Sequence, residues 1–333
     1  MNKNKKILVG IVVSLIALVA IGLLINSNNP TGAAAYGLQE VDLAINTIPN
    51  SALVHIAQEK GYFTEQGLKV NYHAFATGKL ALDALIGGGA DIATTADVPI
   101  TLAALADQKI SVVATIEYST DNIQVVARKD AGINKPSDLS GKRIATTKGG
   151  GPMFFADAFI TKYKIKDAKI VYLTPPDMIT SLVRGDIDAF IVFEPSPSIA
   201  IKQLGTDKVT VFSDSDIYGE TWNIVVMKDF ENSDTITKFI KALVKAEEYY
   251  TENPEDSIRI VSDYSGVDLE TTKEMLQKQN IGVVLNNVLT EYLQQEAEWA
   301  IKNGLSSSER IPDFDEFINT EYLKEINPKV VEI

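Results

Sequence analysis

Two stretches of this chain, ALIGGGADIATTADVP at 84–99 and SLVRGDIDAFIVFEPS at 181–196, follow one pattern without a gap. Leu85 answers Leu182, Ile86 answers Val183, Gly88 answers Gly185, Asp91 answers Asp188 and Asp97 answers Glu194. Each stretch reads as a helix end, a glycine turn, an aspartate, a short apolar strand, an acid and a proline close behind. Any helix–turn–strand unit shares part of this pattern. The alternative is two similar α/β lobes, each bringing the carboxyl end of a strand to the same place. Open α/β sheets bind ligands at such strand ends, and clefts between domains are common ligand sites. The second copy also poses a question, because a buried strand there ends on a carboxylate, Glu194.

The surrounding sequence supports two α/β lobes. VDLAINT (41–47) reads as a strand, and NSALVHIAQEKGYF follows as a helix with Asn50 or Ser51 as N-cap and Gly61 as its stop. LKVNYHAF alternates as a strand, and Thr77-Gly78 opens the helix KLALDALIGG. Strands and helices keep alternating to about residue 215, the signature of mostly parallel sheets flanked by helices. Beyond residues 222–227 long helices take over, expected at 233–252, 254–263, 268–279 and 289–303. A length of 333 residues exceeds one ordinary core and suits two domains.

Composition removes several functions. A net charge of −13 argues against nucleic acid as a partner, since phosphate recognition needs a basic face. It leaves a small anion open, because local donors bind anions whatever the global charge. The chain has no cysteine, which removes disulfides, thiolate metal sites and cysteine nucleophiles. With His55 and His73 as its only histidines, no metal site and no cofactor is expected, and no G-x-S-x-G elbow accompanies either one. His55 reads as a packed or surface residue, and the chain reads as a non-enzyme.

The first residues point to export. Lys3, Lys5 and Lys6 precede an uncharged apolar run at 7–25. At about 1.5 Å per residue it nearly spans a bilayer core of roughly 30 Å, and it is longer than the usual signal-peptide core. Ala33 and Ala35 form an A-x-A site, so residues 1–37 read as a membrane anchor or as a signal segment cleaved after Ala35, with a flexible linker. Either way the remainder is extracytoplasmic, at the cell surface or in the periplasm.

Four segments, EKGYFTEQGLKV, ALIGGGADIATT, KPSDLSGKRIATTKGGGP and GDIDAFIVFEPSPS, together with the helical tail KFIKALVKAEEYYTENPEDSIRI, resemble the periplasmic-type binding proteins of ABC importers. Within that family the likeness is to the branch that binds nitrate, taurine, aliphatic sulfonates and thiamine-precursor pyrimidines. The resemblance implies the two-lobed type II binding-protein fold, with lobe one at 38–127 and 226–333, lobe two at 128–225, and hinge closure over a solute. It also implies a monomer that hands its small-molecule solute to permease subunits. Aliphatic sulfonate or taurine is favoured over nitrate or a pyrimidine. The chain departs from the pattern in lacking a lipid-attachment cysteine and in placing Phe193 before the acid. One branch of the family is a pyrimidine-forming enzyme that depends on a cysteine-rich stretch, which is absent here.

The candidate ligand-binding residues cluster where strands pass into helices. Thr47, Pro49, Asn50 and Ser51 follow the first strand, and they either cap the next helix or turn donors to the cleft. Thr77 and Gly78 open the next helix, where glycine lets a ligand approach the backbone. Thr94, Thr95, Ala96 and Asp97 end the following strand, with Asp97 also a candidate N-cap for the helix at Pro99. Thr146, Thr147, Lys148, Gly149, Gly150, Gly151 and Pro152 form a tight turn into a helix. Such a turn offers N–H donors and the positive helix end to an anion, though its spacing is not that of a Walker loop. Glu194 is expected to accept from a ligand amine or to cap the next helix. Tyr118, Trp222 and Phe193 are candidate cleft walls, and Met178, Met153 and Phe154 candidate apolar surface. The turn at 148–152 and Glu194 are expected to face one shared ligand.

Overall fold

The computed structural model describes residues 37–230 and 233–333, so the expected anchor or signal segment lies outside the described residues. The remainder is built on two sheets. It begins with β1 (Gln39–Ile45), α1 (Ala52–Glu59), β2 (Leu68–Ala74), α2 (Gly78–Ile86), β3 (Ile92–Ala96), α3 (Asp97–Leu105) and β4 (Ile110–Ser119). The second sheet's segment holds β5 (Ile123–Arg128), β6 (Arg143–Thr146), α4 (Gly151–Lys162), β7 (Lys169–Tyr172), α5 (Pro175–Arg184), β8 (Ala189–Phe193), α6 (Ser196–Leu204) and β9 (Val209–Phe212). Then follow β10 (Glu220–Met227), α7 (Ser233–Glu252), α8 (Pro254–Ser265), α9 (Leu269–Lys278), β11 (Asn280–Val284), α10 (Asn287–Lys302) and α11 (Glu321–Ile326).

The first sheet has the order β11-β4-β10-β3-β1-β2, the second β7-β6-β8-β5-β9. Each sheet contains a parallel block, β3-β1-β2 in the first and β7-β6-β8 in the second. The strands that carry the chain between the sheets pair antiparallel: β10 with both β3 and β4, and β5 with β8 and β9. The passages themselves are short, at 120–122 and 213–219. The expected lobe boundaries, 127/128 and 225/226, fall at the far ends of β5 and β10. By pairing, β5 lies in the second sheet and β10 in the first. Apolar periodicity marks a strand without saying which sheet it joins.

The strands read as they do because their faces alternate. In β5 and β8, Val125 and Ile191 pack into the core under α4 with Phe155 and Phe159. Their neighbours Val126, Phe190 and Val192 pack on the opposite face with Met178, Leu182 and Ala200. The long C-terminal helices close the first lobe's core, where Phe63 stacks on Phe239 of α7 at 4.7 Å.

The repeated sequence pattern has a structural meaning. In the first copy the Asp42 N–H donates to Asp91 Oδ2 at 2.8 Å, and the Asp91 N–H donates to the Asp42 carbonyl at 2.8 Å. In the second copy the Arg143 N–H donates to Asp188 Oδ2 at 2.8 Å, and the Asp188 N–H donates to the Arg143 carbonyl at 2.9 Å. In both lobes the aspartate just before the strand accepts from a backbone N–H of the neighbouring parallel strand, at Asp42 within β1 and at Arg143 at the start of β6.

Candidate functional site

The strand ends of the two sheets meet at a small cleft of about 40 Å³. Thr77, Gly78, Lys79, Ala96 and Pro99 line it from the first lobe, and Thr147, Lys148, Gly150, Gly151, Pro152 and Phe193 from the second. Glu220 and Trp222 of β10 complete it. Small-molecule sites usually hold about 300 Å³ or more, so the lobes stand closed in this structure. Contacts between the lobes hold that state. Trp299 Nε1 donates to Asp157 Oδ2 at 3.0 Å, Phe154 meets the Trp299 ring edge-on at 5.1 Å, and Lys202 pairs with Asp268 at 2.8 Å.

The second-lobe wall is the turn into α4. Gly149 has a φ of 72°, a conformation that suits glycine. Gly150 is the N-cap, and among the described residues no side chain bonds to this helix start. Pro152 has no N–H and the Met153 N–H donates to the Gly150 carbonyl at 2.9 Å, which leaves the Gly151 N–H and the positive helix end at the cleft without a cap. Gly151 is glycine for a packing reason, since a Cβ there would sit 2.7 Å from the Tyr218 hydroxyl. The Lys79 side chain reaches this turn from the first lobe: its Cε lies 3.1 Å from where a Cβ on Gly149 would be. Lys148, exposed, stands at the same mouth.

The first-lobe wall is the start of α2. Thr77 caps it, accepting from the Leu80 N–H at 3.2 Å. At Gly78 a Cβ would meet the Trp222 ring at 2.8 Å, so glycine there lets the indole lie against the helix start. Trp222 Nε1 donates to Ser51 Oγ at 3.0 Å, and Ser51 Oγ donates to the Asn46 carbonyl at 2.9 Å. Thr95 is fully buried behind Gly78, and its hydroxyl has no partner among the described residues.

Behind this wall lies a group of buried acids. Glu220 Oε1 accepts from Asn122 Nδ2 at 2.8 Å and from Asn50 Nδ2 at 3.3 Å. Burial first, and Asp97 nearby second, push the Glu220 carboxyl up to about 8. Burial and the neighbouring Glu220 push Glu117 well above the usual carboxylate range. Asp97 is shifted up by burial, against the bonds it accepts from Tyr218 OH, from Thr221 N at 2.7 Å and from Val98 N at 2.9 Å. Glu296 accepts from Thr101 Oγ1 at 2.7 Å and is likewise pushed well up by burial. Among the described residues no group of three or more His, Asp or Glu side chains is arranged to hold a metal ion.

The candidates named from the sequence therefore divide. The cleft brings together Thr77, Gly78, Lys148, Gly150, Gly151, Pro152, Phe193 and Trp222, with Gly149 in the same turn. Ser51 is the N-cap of α1, one of the two residues expected there, but among the described residues neither its side chain nor that of Asn50 bonds to the helix N-terminus. They are buried behind the cleft and hold Glu220 and Trp222, while Thr47 is half-buried beside them. Asp97 is spent on Tyr218 and Thr221, so it fastens the passage at 213–219 to α3.

Glu194 does not share a cavity with the 148–152 turn. Its carboxylate accepts from Ser198 N at 3.2 Å and Ser198 Oγ at 3.0 Å, capping α6, in a separate recess beside Asn122 and Lys278. The buried strand β8 delivers an acid to its end because the helix after it needs a cap. Met178 is fully buried on the far face of the second sheet, and Tyr118 lines a different cavity, with its hydroxyl 3.1 Å from that of Tyr292. Helical spacing placed Met178 on an apolar face without saying that the face packs on the sheet.

Two cleft residues escaped sequence reasoning. Lys79 directly follows Thr77-Gly78 at a helix start, and that position was its signal. Glu220 had none, because its burial follows from β10 inserting between β3 and β4.

The comparisons with known proteins agree with this architecture. The family model described as NMT1/THI5 like matches residues 48–257. The taurine-binding periplasmic protein of Escherichia coli (strain K12) is 29% identical over 246 residues, 69% of this chain and 74% of that one. The crystal structure of the periplasmic aliphatic sulphonate binding protein SsuA from Escherichia coli matches with a TM-score of 0.70 at 20% identity, covering 84% of this chain and 97% of that one. The periplasmic nitrate-binding protein NrtA from Synechocystis PCC 6803 matches with a TM-score of 0.72 at 15% identity, over 88% and 89%. These relatives are solute-binding proteins rather than enzymes, and the two structures establish the periplasmic-binding-protein fold for this chain. With that fold and with the family match spanning residues 48–257, the chain belongs to the NMT1/THI5-like family.

Proposed function

We propose that this protein is the extracytoplasmic solute-binding component of an ABC importer, and that it captures a small zwitterionic sulfonate of the taurine type between its two lobes. The observation that carries the reading is that one cleft holds both an uncapped helix N-terminus and a carboxyl group. The 148–152 turn, with Lys79 and Lys148 at its mouth, suits a sulfonate. Glu220, on the opposite side of the same cleft, suits an ammonium group. The name of the 29%-identical relative, a taurine-binding periplasmic protein, supports the same solute class.

In this reading the passages at 120–122 and 213–219 are the hinges, and the closed cleft opens to admit the solute and to release it to permease subunits. A second reading rests on Trp222: its indole beside Glu220 also suits an aminopyrimidine, with the ring against the indole and the exocyclic amine on the carboxyl group.

A thermal-shift screen of the purified full chain tests this against taurine, alkanesulfonates, nitrate, bicarbonate and thiamine-type pyrimidines. A ligand of the native state alone stabilises by RT ln(1 + [L]/Kd), about 2.7 kcal/mol at about 100 Kd. Taurine is expected to shift the transition most, and Gly150→Asp, which puts an anion at the helix start, is expected to abolish the shift. A shift with nitrate alone sinks the zwitterion reading, and a shift with pyrimidines alone replaces it with the second one.

A further inference from the structure

A cavity of about 290 Å³ lies apart from the cleft, within the first lobe. It sits between β4 and the β11 segment that leads into α10, and none of its lining residues lines the cleft. Its volume falls at the small end of the usual range for ligand sites, roughly 300–1,000 Å³.

Two acids line this cavity. Glu117 is 1% exposed, and its Oε2 accepts from Asn50 Nδ2 at 3.0 Å. Its Oε1 is buried with no hydrogen-bond partner among the described residues. A buried polar atom without a partner is costly, and nearly all such atoms in native proteins find one. Across the cavity Glu247 accepts from the Val283 N–H at 3.0 Å through Oε2. No lysine, arginine or histidine is among the described residues that line it. The remaining wall is largely apolar, with Tyr118, Ile281, Val284 and Val288. A cation with a hydrocarbon body supplies a donor to Oε1 and stabilises the ionised form of Glu117, which burial and Glu220 disfavour in the empty cavity.

We propose that this cavity is a second ligand site, which takes a small organic amine with its ammonium group on Glu117 and Glu247 and its hydrocarbon part against Tyr118, Ile281, Val284 and Val288. The site stands independently of the solute assigned to the cleft. A metal ion fits it less well, because among the described residues no group of three or more His, Asp or Glu side chains is arranged to hold one.

The test is a calorimetric titration of the purified full chain with benzylamine, and with benzyl alcohol as its uncharged counterpart. Benzylamine is expected to bind one site, at least about tenfold more tightly than benzyl alcohol. Glu117→Gln, which cannot ionise beside the ammonium group, and Val288→Trp, which fills the cavity from a half-buried position, are each expected to weaken it by about tenfold or more. Gly150→Asp, in the cleft, is expected to leave it unchanged. Should Glu117→Gln fail to fold, Val288→Trp decides alone. Equal binding of the amine and the alcohol overturns the proposal. So does amine binding that survives Val288→Trp, or that is lost in Gly150→Asp.

Discussion

In the first copy of the repeated unit Asp91 fastens β1, and in the second Asp188 fastens β6, each carboxylate taking a strand N–H at 2.8 Å. Six residues on, the likeness ends. Asp97 is fully buried and holds Tyr218 and Thr221, more than a hundred residues away, whereas Glu194 turns back to its own helix at Ser198. The cause is the neighbour. β3 ends beside β10, which arrives from the other lobe and presents donors to Asp97. β8 ends beside the start of β5, where Asn122 is already bonded to Glu220. The same local pattern builds both strands, and the company at each strand's end decides what its acid does.

The largest effect should come from breaking the first copy's long-range end. Asp97→Ala leaves the Tyr218 hydroxyl and the Thr221 N–H buried without their acceptor, at about 1–3 kcal/mol each. Urea unfolding should show a loss of about 2–6 kcal/mol. A loss no greater than that of Glu194→Ala would falsify the division drawn between the two copies.

The acids behind Asp97 should also make stability depend on pH. Glu220 is raised from an ordinary value of 4.5 to about 8, so the folded state holds a proton that the unfolded state has released in this window. Its contribution is fully present below about 4.5 and is lost as pH rises to about 8, with a slope of up to about 1.4 kcal/mol per pH unit. Glu220→Gln should flatten the profile between those limits in unfolding measured at stepped pH.

Glu194→Ala removes a local cap and should cost about 1 kcal/mol, within the usual range for such losses. Glu194→Gln, which still accepts from Ser198, should recover most of it. The smallest difference should separate the two fastening aspartates. Asp188 also pairs with Arg143 at 2.8 Å, and that pair holds its carboxyl below the usual range. The Arg143 side chain is 43% exposed, so solvent screening keeps the pair weak. Asp188→Ala should therefore exceed Asp91→Ala only slightly, and this excess should fade at high salt. It should also fade as pH falls below about 4 through the lowered folded value.

The sequence by itself determined which segments become strands and helices, because apolar alternation and helical spacing are local properties. The four long C-terminal helices and the glycine turn before α4 were legible in this way, and so was the repeated aspartate with its turn. Only the tertiary structure decided that β5 joins the second sheet and β10 the first, since strand partners are chosen by contacts between distant residues. That choice buries Glu220 in the cleft, seals Met178 under the sheet and assigns Tyr118 to a separate cavity. A side chain's type is written in the chain, but its dielectric surroundings and its bonding partners exist only once remote strands have paired.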